Sequence, residues 1–229
     1  MGTKERYEKT AAELQDVCRK VGRDPASVTL VGVSKTVGPD EVALAIEGGA
    51  RDFGENRPDQ LMEKHDLYPQ VNWHFIGNIQ SRRIHDIVGR AVLIHSLYQE
   101  KHARKIDEIA GKAGIVQDVL LEVNVSGEES KSGLAPEDVE SFAAFCQQLP
   151  NVRVRGLMTM APQGDAAVAR KTFDGLASLA EQLKSKMDAE HAAYFTELSM
   201  GMSEDWREGV AAGATIVRVG RAIFSDSFQ

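Results

Sequence analysis

Short runs of branched and aliphatic residues recur along the chain, and each is followed by a stretch whose apolar positions fall three and four residues apart. The runs are VTLVGV at 28–33, RDFG at 51–54, NWHFI at 72–76, AVLIH at 91–95, DVLLEVNV at 118–125, VRVRGLM at 152–158, FTELS at 195–199 and TIVRVG at 215–220. They predict eight strands. The intervening segments PDEVALAIEGG, QEKHARKIDEIAGKAG, PEDVESFAAFCQQL and DAAVARKTFDGLASLAEQLKSKM predict amphipathic helices, and a further helix over about residues 3–21 precedes the first strand. Pro39 and Pro136 suit first helical turns, and Gly48/Gly49 and Gly111/Gly114 suit helix ends. Strict β/α alternation implies parallel strands joined by right-handed crossovers. Eight such units predict an α/β protein, a single (β/α)8 TIM-type barrel with an extra N-terminal helix. An open doubly wound sheet would be favoured by a GxGxxG turn after the first strand; the chain has Val33-Ser34-Lys35-Thr36 there.

With 42% apolar side chains in 229 residues, the chain is expected to build one core and one domain over 1–229. Its net charge of −7 argues against a broad electrostatic grip on nucleic acid or anionic membrane. The N-terminal MGTKERYEKTAAELQD has no apolar h-region, and no run of about 18 apolar residues occurs, so neither export nor a membrane span is expected. Cys18 and Cys146 stand far apart with no metal-ligand spacing around them. They read as reduced, partly buried thiols of a cytoplasmic protein, with no metal site.

Active groups of such barrels gather where the strands exit. Lys35 leaves an apolar first strand. A lysine on a partly desolvated floor has an available amine and suits Schiff-base chemistry, although a snorkelling strand-end lysine fits the same pattern. Ser199-Met200-Gly201-Met202-Ser203 after the seventh strand and Gly220-Arg221 after the eighth form a glycine-containing loop pair suited to phosphate, ahead of a helix expected near Glu204. Helix capping by Ser203 is the plainer reading, and a capping serine can still donate to phosphate. Arg218 alternates with Val217 and Val219 and needs an acceptor, either a ligand or Glu197 on the neighbouring strand. Weaker signals follow the second, third and sixth strands: Glu55 and Asn56, His74, and Met158. Ordinary roles for these are a helix cap, a satisfied core histidine and packing.

Several longer stretches, in order, carry a resemblance along nearly the whole chain. They are VGVSKT around Lys35, FGEN at 53–56, WHFIGNIQSRR at 73–83, EVNVSGEESKSG at 122–133, VRGLMTMAP at 154–162, ELSMGMSEDW at 197–206 and VRVGRAIF at 217–224. The sequence resembles the pyridoxal-phosphate homeostasis proteins, which are similar to the barrel domain of bacterial alanine racemase. Arg57-Pro58 departs from the aromatic and small apolar residues usual there, and Ser225 stands where a glycine is usual.

The resemblance implies that Lys35 holds pyridoxal 5′-phosphate as a Schiff base and that the loops bearing Ser199, Gly201, Ser203, Gly220 and Arg221 hold its phosphate. It also implies that Arg218 faces the pyridine nitrogen and that Asn56, His74 and Met158 complete the site. Within the loops, backbone N–H groups are expected to dominate and the Arg221 side chain to point away. Alanine racemases add a second domain and a tyrosine from a partner subunit. A 229-residue chain leaves no room for that domain, so two-base racemisation is expected to lack its second base. The implied role is cofactor binding and buffering by a monomer, with no established turnover and with PLP-dependent apoenzymes as recipients. The rivals are a weak racemase using Tyr194 or His74 as second base, and a class I aldolase acting on a phosphosugar.

Overall fold

A computed structural model describes residues 1–128 and 131–228; Glu129 and Ser130 of the 122–133 stretch, and Gln229 of the tail, lie outside the described residues. The eight strands are β1 (Thr29–Val33), β2 (Asp52–Glu55), β3 (Asn72–Phe75), β4 (Leu93–Leu97), β5 (Gln117–Glu122), β6 (Val152–Met158), β7 (Glu197–Ser199) and β8 (Ile216–Val219). All pair in parallel and in sequence order, and β8 closes on β1 with Val31 opposite Arg218. Each expected strand is present.

The helices are α1 (Thr3–Lys20), α2 (Pro39–Glu47), α3 (Pro58–Leu67), α4 (Ile84–Ile87), α5 (Glu100–Ala113), α6 (Val139–Cys146), α7 (Ala166–Lys186), α8 (Ala189–Tyr194), α9 (Trp206–Ala211) and α10 (Arg221–Phe224). Pro39 and Pro58 open α2 and α3, where a missing N–H costs nothing. Arg57-Pro58 therefore starts a helix directly. Pro136 opens a 3-10 turn just before α6 rather than α6 itself, and the helix expected near Glu204 begins two residues later, at Trp206.

Most buried apolar side chains pack between the barrel and the helices, whereas Val31, Leu93, Leu120, Met158 and Ile216 form a separate small cluster inside the barrel. The rest of the lumen is polar, and that is where the site is built. Closure demands one special backbone. Gly156 has φ +154°, and a Cβ there would lie 1.8 Å from Glu197 O, so the bulged β6 approaches β7 only because this residue has no side chain. Helix α1 is tied to the far end of the chain: Arg6 Nε donates to Ile223 O at 2.7 Å, and its guanidinium also meets Asp226.

Candidate functional site

A cavity of about 390 Å³ opens where the strands exit, within the range usual for small-ligand sites. Seven residues singled out from the sequence line it: Lys35, Asn56, Met158, Ser203, Arg218, Gly220 and Arg221. Val33 and Ile76 add apolar wall. His74, Ser199 and Gly201 are not among the lining residues.

Lys35 occupies the turn between β1 and α2, closed by Val37 N–H donating to Ser34 O at 3.1 Å. It is exposed, so the desolvated floor anticipated from the sequence is absent. Its backbone is held instead. Glu55, fully buried, accepts from Lys64 Nζ at 2.6 Å and from Ser34 Oγ at 2.6 Å. Lys64 also donates to Ser34 O at 2.8 Å, and the Gln60 amide, oriented with its nitrogen toward the two acceptors that face it, donates to Lys35 O and Glu55 Oε2 at 3.1 Å each. Both carbonyls flanking the Lys35 N–H are thus engaged by residues of α3. Asn56 is set by an equally tight approach, since a Cβ on Gly77 would lie 2.1 Å from Asn56 O.

Arg218 on β8 is 4% exposed and keeps its head at the cavity floor. It donates to Ser199 Oγ at 2.5 Å and to Thr159 O at 3.0 Å. Glu197, the carboxylate weighed from the sequence, is not its partner; that side chain accepts from Thr215 Oγ1 at 2.6 Å and faces Arg155 at the opposite mouth. Burial draws Arg218 down to about 10, against the pull of Asp205 and Glu122, so it remains a cation at neutral pH. Burial conversely pushes the Glu122 and Asp205 carboxyls up, partly offset by Ser132 and Arg218 on Glu122 and by the Met202 N–H and Arg218 on Asp205.

The two anticipated phosphate loops divide. Gly220 N–H and Ala222 N–H donate to Ser203 Oγ at 3.3 and 3.4 Å, which fixes the Ser203 hydroxyl at the cavity edge with its hydrogen unspent on either. Arg221 bridges with its side chain to Glu204 and lies over the Phe228 ring. Gly201 serves a different need. At φ +95° a Cβ would lie 2.7 Å from Trp206 Cα, so the residue lets the loop meet the start of α9. Gly220 is likewise confined by Val33 O, 3.2 Å from a Cβ built on it. Substituting either glycine would test packing before it tested any anion.

His74 sits deeper than the cavity, bonded to His95 at 2.9 Å and to Asp52 at 3.2 Å; His95 in turn meets Ser199 Oγ at 2.9 Å. Tyr194 ends α8 near β6 and Arg153, and it too is absent from the cavity lining. Sequence reading overlooked His95, Lys64 and Gln60. His95 was reachable, because it alternates with Leu93 and shares the inward face of β4. The Lys64 pairing was not, because it links a helix to the strand before it. Cys18 and Cys146 are free and buried, and burial pushes the Cys146 thiol up to about 12. Among the described residues no group of three or more His, Cys, Asp or Glu is arranged to hold a metal, and no helix is long and apolar enough to cross a membrane.

The profile of the alanine racemase N-terminal domain matches residues 9–227. A pyridoxal phosphate homeostasis protein of Aquifex aeolicus is 37% identical over 229 residues, covering 99% of each chain. One of Pseudomonas aeruginosa is 40% identical over 225 residues, covering 96% of this chain and 94% of the relative. The structure of PipY from Synechococcus elongatus PCC7942 with PLP bound superposes with a TM-score of 0.81 at 34% identity, covering 94% of this chain and 100% of PipY. A closed eight-stranded barrel with an extra first helix, a lysine at the exit of β1 and relatives matched from end to end agree with one another: this chain belongs to the pyridoxal phosphate homeostasis proteins, built on the barrel of the alanine racemase N-terminal domain.

Proposed function

We propose that this chain binds pyridoxal 5′-phosphate covalently through Lys35 and serves to hold and release the cofactor inside the cell rather than to turn over a substrate. The observation that carries the reading is the convergence of three donor types on one cavity: the Lys35 amine, the buried Arg218 guanidinium, and the Ser203 hydroxyl, whose oxygen accepts from the Gly220 and Ala222 N–H groups and so leaves its own hydrogen for an anion. That set fits the group. An aldehyde needs an amine, a ring nitrogen needs a donor, and a phosphate dianion needs several hydrogen bonds at once. When bound, the cofactor supplies an electrophilic aldehyde carbon and an electron-withdrawing pyridine ring.

Lys35 Nζ is the covalent anchor, and its fixed backbone aims it into the cavity. Val33, Ile76 and Met158 give the ring apolar faces. A guanidinium donates but cannot accept, so Arg218 offers a ring nitrogen no reason to hold a proton and keeps the ring a weak electron sink. Neither His74 nor Tyr194 lines the cavity, which leaves both residues considered as a second base away from the reacting atoms. These features favour storage over racemisation. Transfer to PLP-dependent apoenzymes, a monomeric state, a cytoplasmic location and no dealings with nucleic acid or membrane complete the proposal.

The test is spectroscopic. Incubation with pyridoxal 5′-phosphate should give a visible absorption band that borohydride abolishes, with the added mass on the peptide containing Lys35. A protein that gains no band, or carries the mass on another lysine, overturns the anchor. Racemisation of alanine at an ordinary enzymatic rate, on the order of 1 per second or more, overturns the storage role.

A further inference from the structure

Three buried polar residues that do not line the proposed cofactor cavity, Ser199, His95 and His74, join Arg218 to Asp52 in a continuous hydrogen-bonded string through the barrel. Starting at the cavity, Arg218 NH1 donates to Ser199 Oγ at 2.5 Å, Ser199 Oγ lies 2.9 Å from His95 Nδ1, His95 Nε2 lies 2.9 Å from His74 Nδ1, and His74 Nε2 lies 3.2 Å from Asp52 Oδ1. Ser199 and His95 are fully buried and His74 nearly so. Asp52 is different. It is partly exposed, and together with His74 it lines a separate cavity of about 220 Å³ at the N-terminal mouth, beside Thr29, Asp118, Arg155 and Glu197. The string therefore starts at the proposed cofactor site and ends at the opposite face.

Its direction follows from what each group can do. A guanidinium only donates and an ionised carboxylate only accepts. Ser199 Oγ is already an acceptor for Arg218, so its own hydrogen is free for His95 Nδ1. His95 then carries its proton on Nε2 and donates to His74 Nδ1. His74 likewise carries its proton on Nε2 and donates to Asp52. Every link has one donor and one acceptor with both imidazoles neutral, and a cation and an anion terminate the string with the polarity it needs. The reverse direction fails at the far end, where neutral His74 would turn a bare nitrogen toward the Asp52 carboxylate. Burial and the adjacent His74 and Arg218 hold His95 well below the ordinary imidazole range, consistent with a neutral ring.

We propose that Asp52, His74 and His95 are positioning residues for Arg218: by committing the Ser199 hydroxyl as its acceptor they fix the guanidinium that faces the pyridine nitrogen, and they couple the N-terminal mouth of the barrel to the cofactor site. This rests on the cofactor reading above, yet half of it can be checked without any cofactor. Apoprotein labelled with ¹⁵N-histidine should show, in long-range ¹⁵N–¹H correlation spectra, neutral Nε2–H tautomers at both His74 and His95. An Nδ1–H tautomer at His95 overturns the directed string whether or not pyridoxal 5′-phosphate ever binds.

The second half uses Asp52→Asn, a nearly isosteric change at the end remote from the cavity. An asparagine amide can donate as well as accept, so the reversed string becomes available and Nδ1–H tautomers should appear at both histidines. Ser199 Oγ then accepts from both His95 and Arg218 while its own hydrogen loses its fixed acceptor, so the guanidinium is held less firmly. Retention of pyridoxal 5′-phosphate should weaken about fivefold, and the bound cofactor's visible band should move. Unaltered tautomers, or altered tautomers with unchanged affinity and spectrum, overturn the coupling. Absence of binding by wild-type protein overturns the cofactor reading alone, because the tautomer result stands apart from it.

Discussion

Behind Lys35 the barrel buries a charge pair, and behind Arg218 it buries a string of one hydroxyl and two imidazoles. The Glu55–Lys64 pair is inaccessible on both sides and spends its hydrogen bonds on the backbone of the β1 exit turn. The Ser199–His95–His74 string spends its hydrogen bonds on one side chain, Arg218. The difference matches what each functional group requires. A flexible lysine that must reach, react and let go needs a fixed root and a free tip. An arginine that serves as a static donor needs a fixed tip. Energetically the two also differ, since a buried ion pair is costly to break on one side, whereas the string loses single hydrogen bonds.

Removing one partner of the pair should have the largest effect. Lys64→Met leaves Glu55 charged and buried, and urea denaturation is expected to show a loss of about 3–5 kcal/mol. The double variant Lys64→Met/Glu55→Leu should recover most of that stability and still retain pyridoxal 5′-phosphate more weakly, because the Ser34 carbonyl that precedes Lys35 loses its donor. Full recovery of both would reduce the pair to a packing element.

His95→Ala comes next. It strands the Ser199 hydroxyl and a His74 nitrogen, and a loss of about 2–3 kcal/mol is expected from denaturant unfolding. The same site gives a pH signature. The folded His95 is held below the imidazole value of about 6.5, so as pH falls through 6.5 the unfolded chain takes up a proton that the folded chain refuses, and stability declines toward acid. The raised carboxyls of Glu122 and Asp205 work with the opposite sign, so the comparison must be made against wild type. His95→Asn, measured across pH 7 to 5, should decline less steeply; an identical slope would show that His95 is protonated in the folded barrel.

Smaller effects are expected at the cavity edge. Ser203→Ala breaks two long contacts of 3.3 and 3.4 Å and should shift stability by less than about 1 kcal/mol. Equilibrium dialysis should nevertheless show pyridoxal 5′-phosphate bound about tenfold more weakly, with pyridoxal unaffected, since a hydroxyl bonded to phosphate is charge-assisted. Arg221→Ala should do least. Its outward bridge to Glu204 is exposed and contributes at most about 0.5 kcal/mol, so calorimetry and cofactor retention should both stay near wild type. A large loss of retention there would place the phosphate against the side chain instead of the backbone.

The periodicity of apolar residues determined the strands, the crossover helices and hence the barrel, because parallel strands covered on both faces read as unbroken apolar runs, and even three-residue β7 kept its place in the alternation. Strand exits likewise marked Lys35, Ser203 and Gly220, since in this architecture chain position alone carries a residue to the site. Depth and partnership were decided only by closure. His74 and Ser199 read as site residues from their strand ends, yet the lumen places them behind Arg218, and Ser199 finds a partner 104 positions away on β4, a strand it does not pair with. Gly201 has the composition of a phosphate loop and is required by the backbone of Trp206. Hydrophobic pattern is set by which face a side chain takes, a local property of a strand. A hydrogen bond across a lumen depends on the diameter and stagger of eight strands at once, which no segment of the chain specifies by itself.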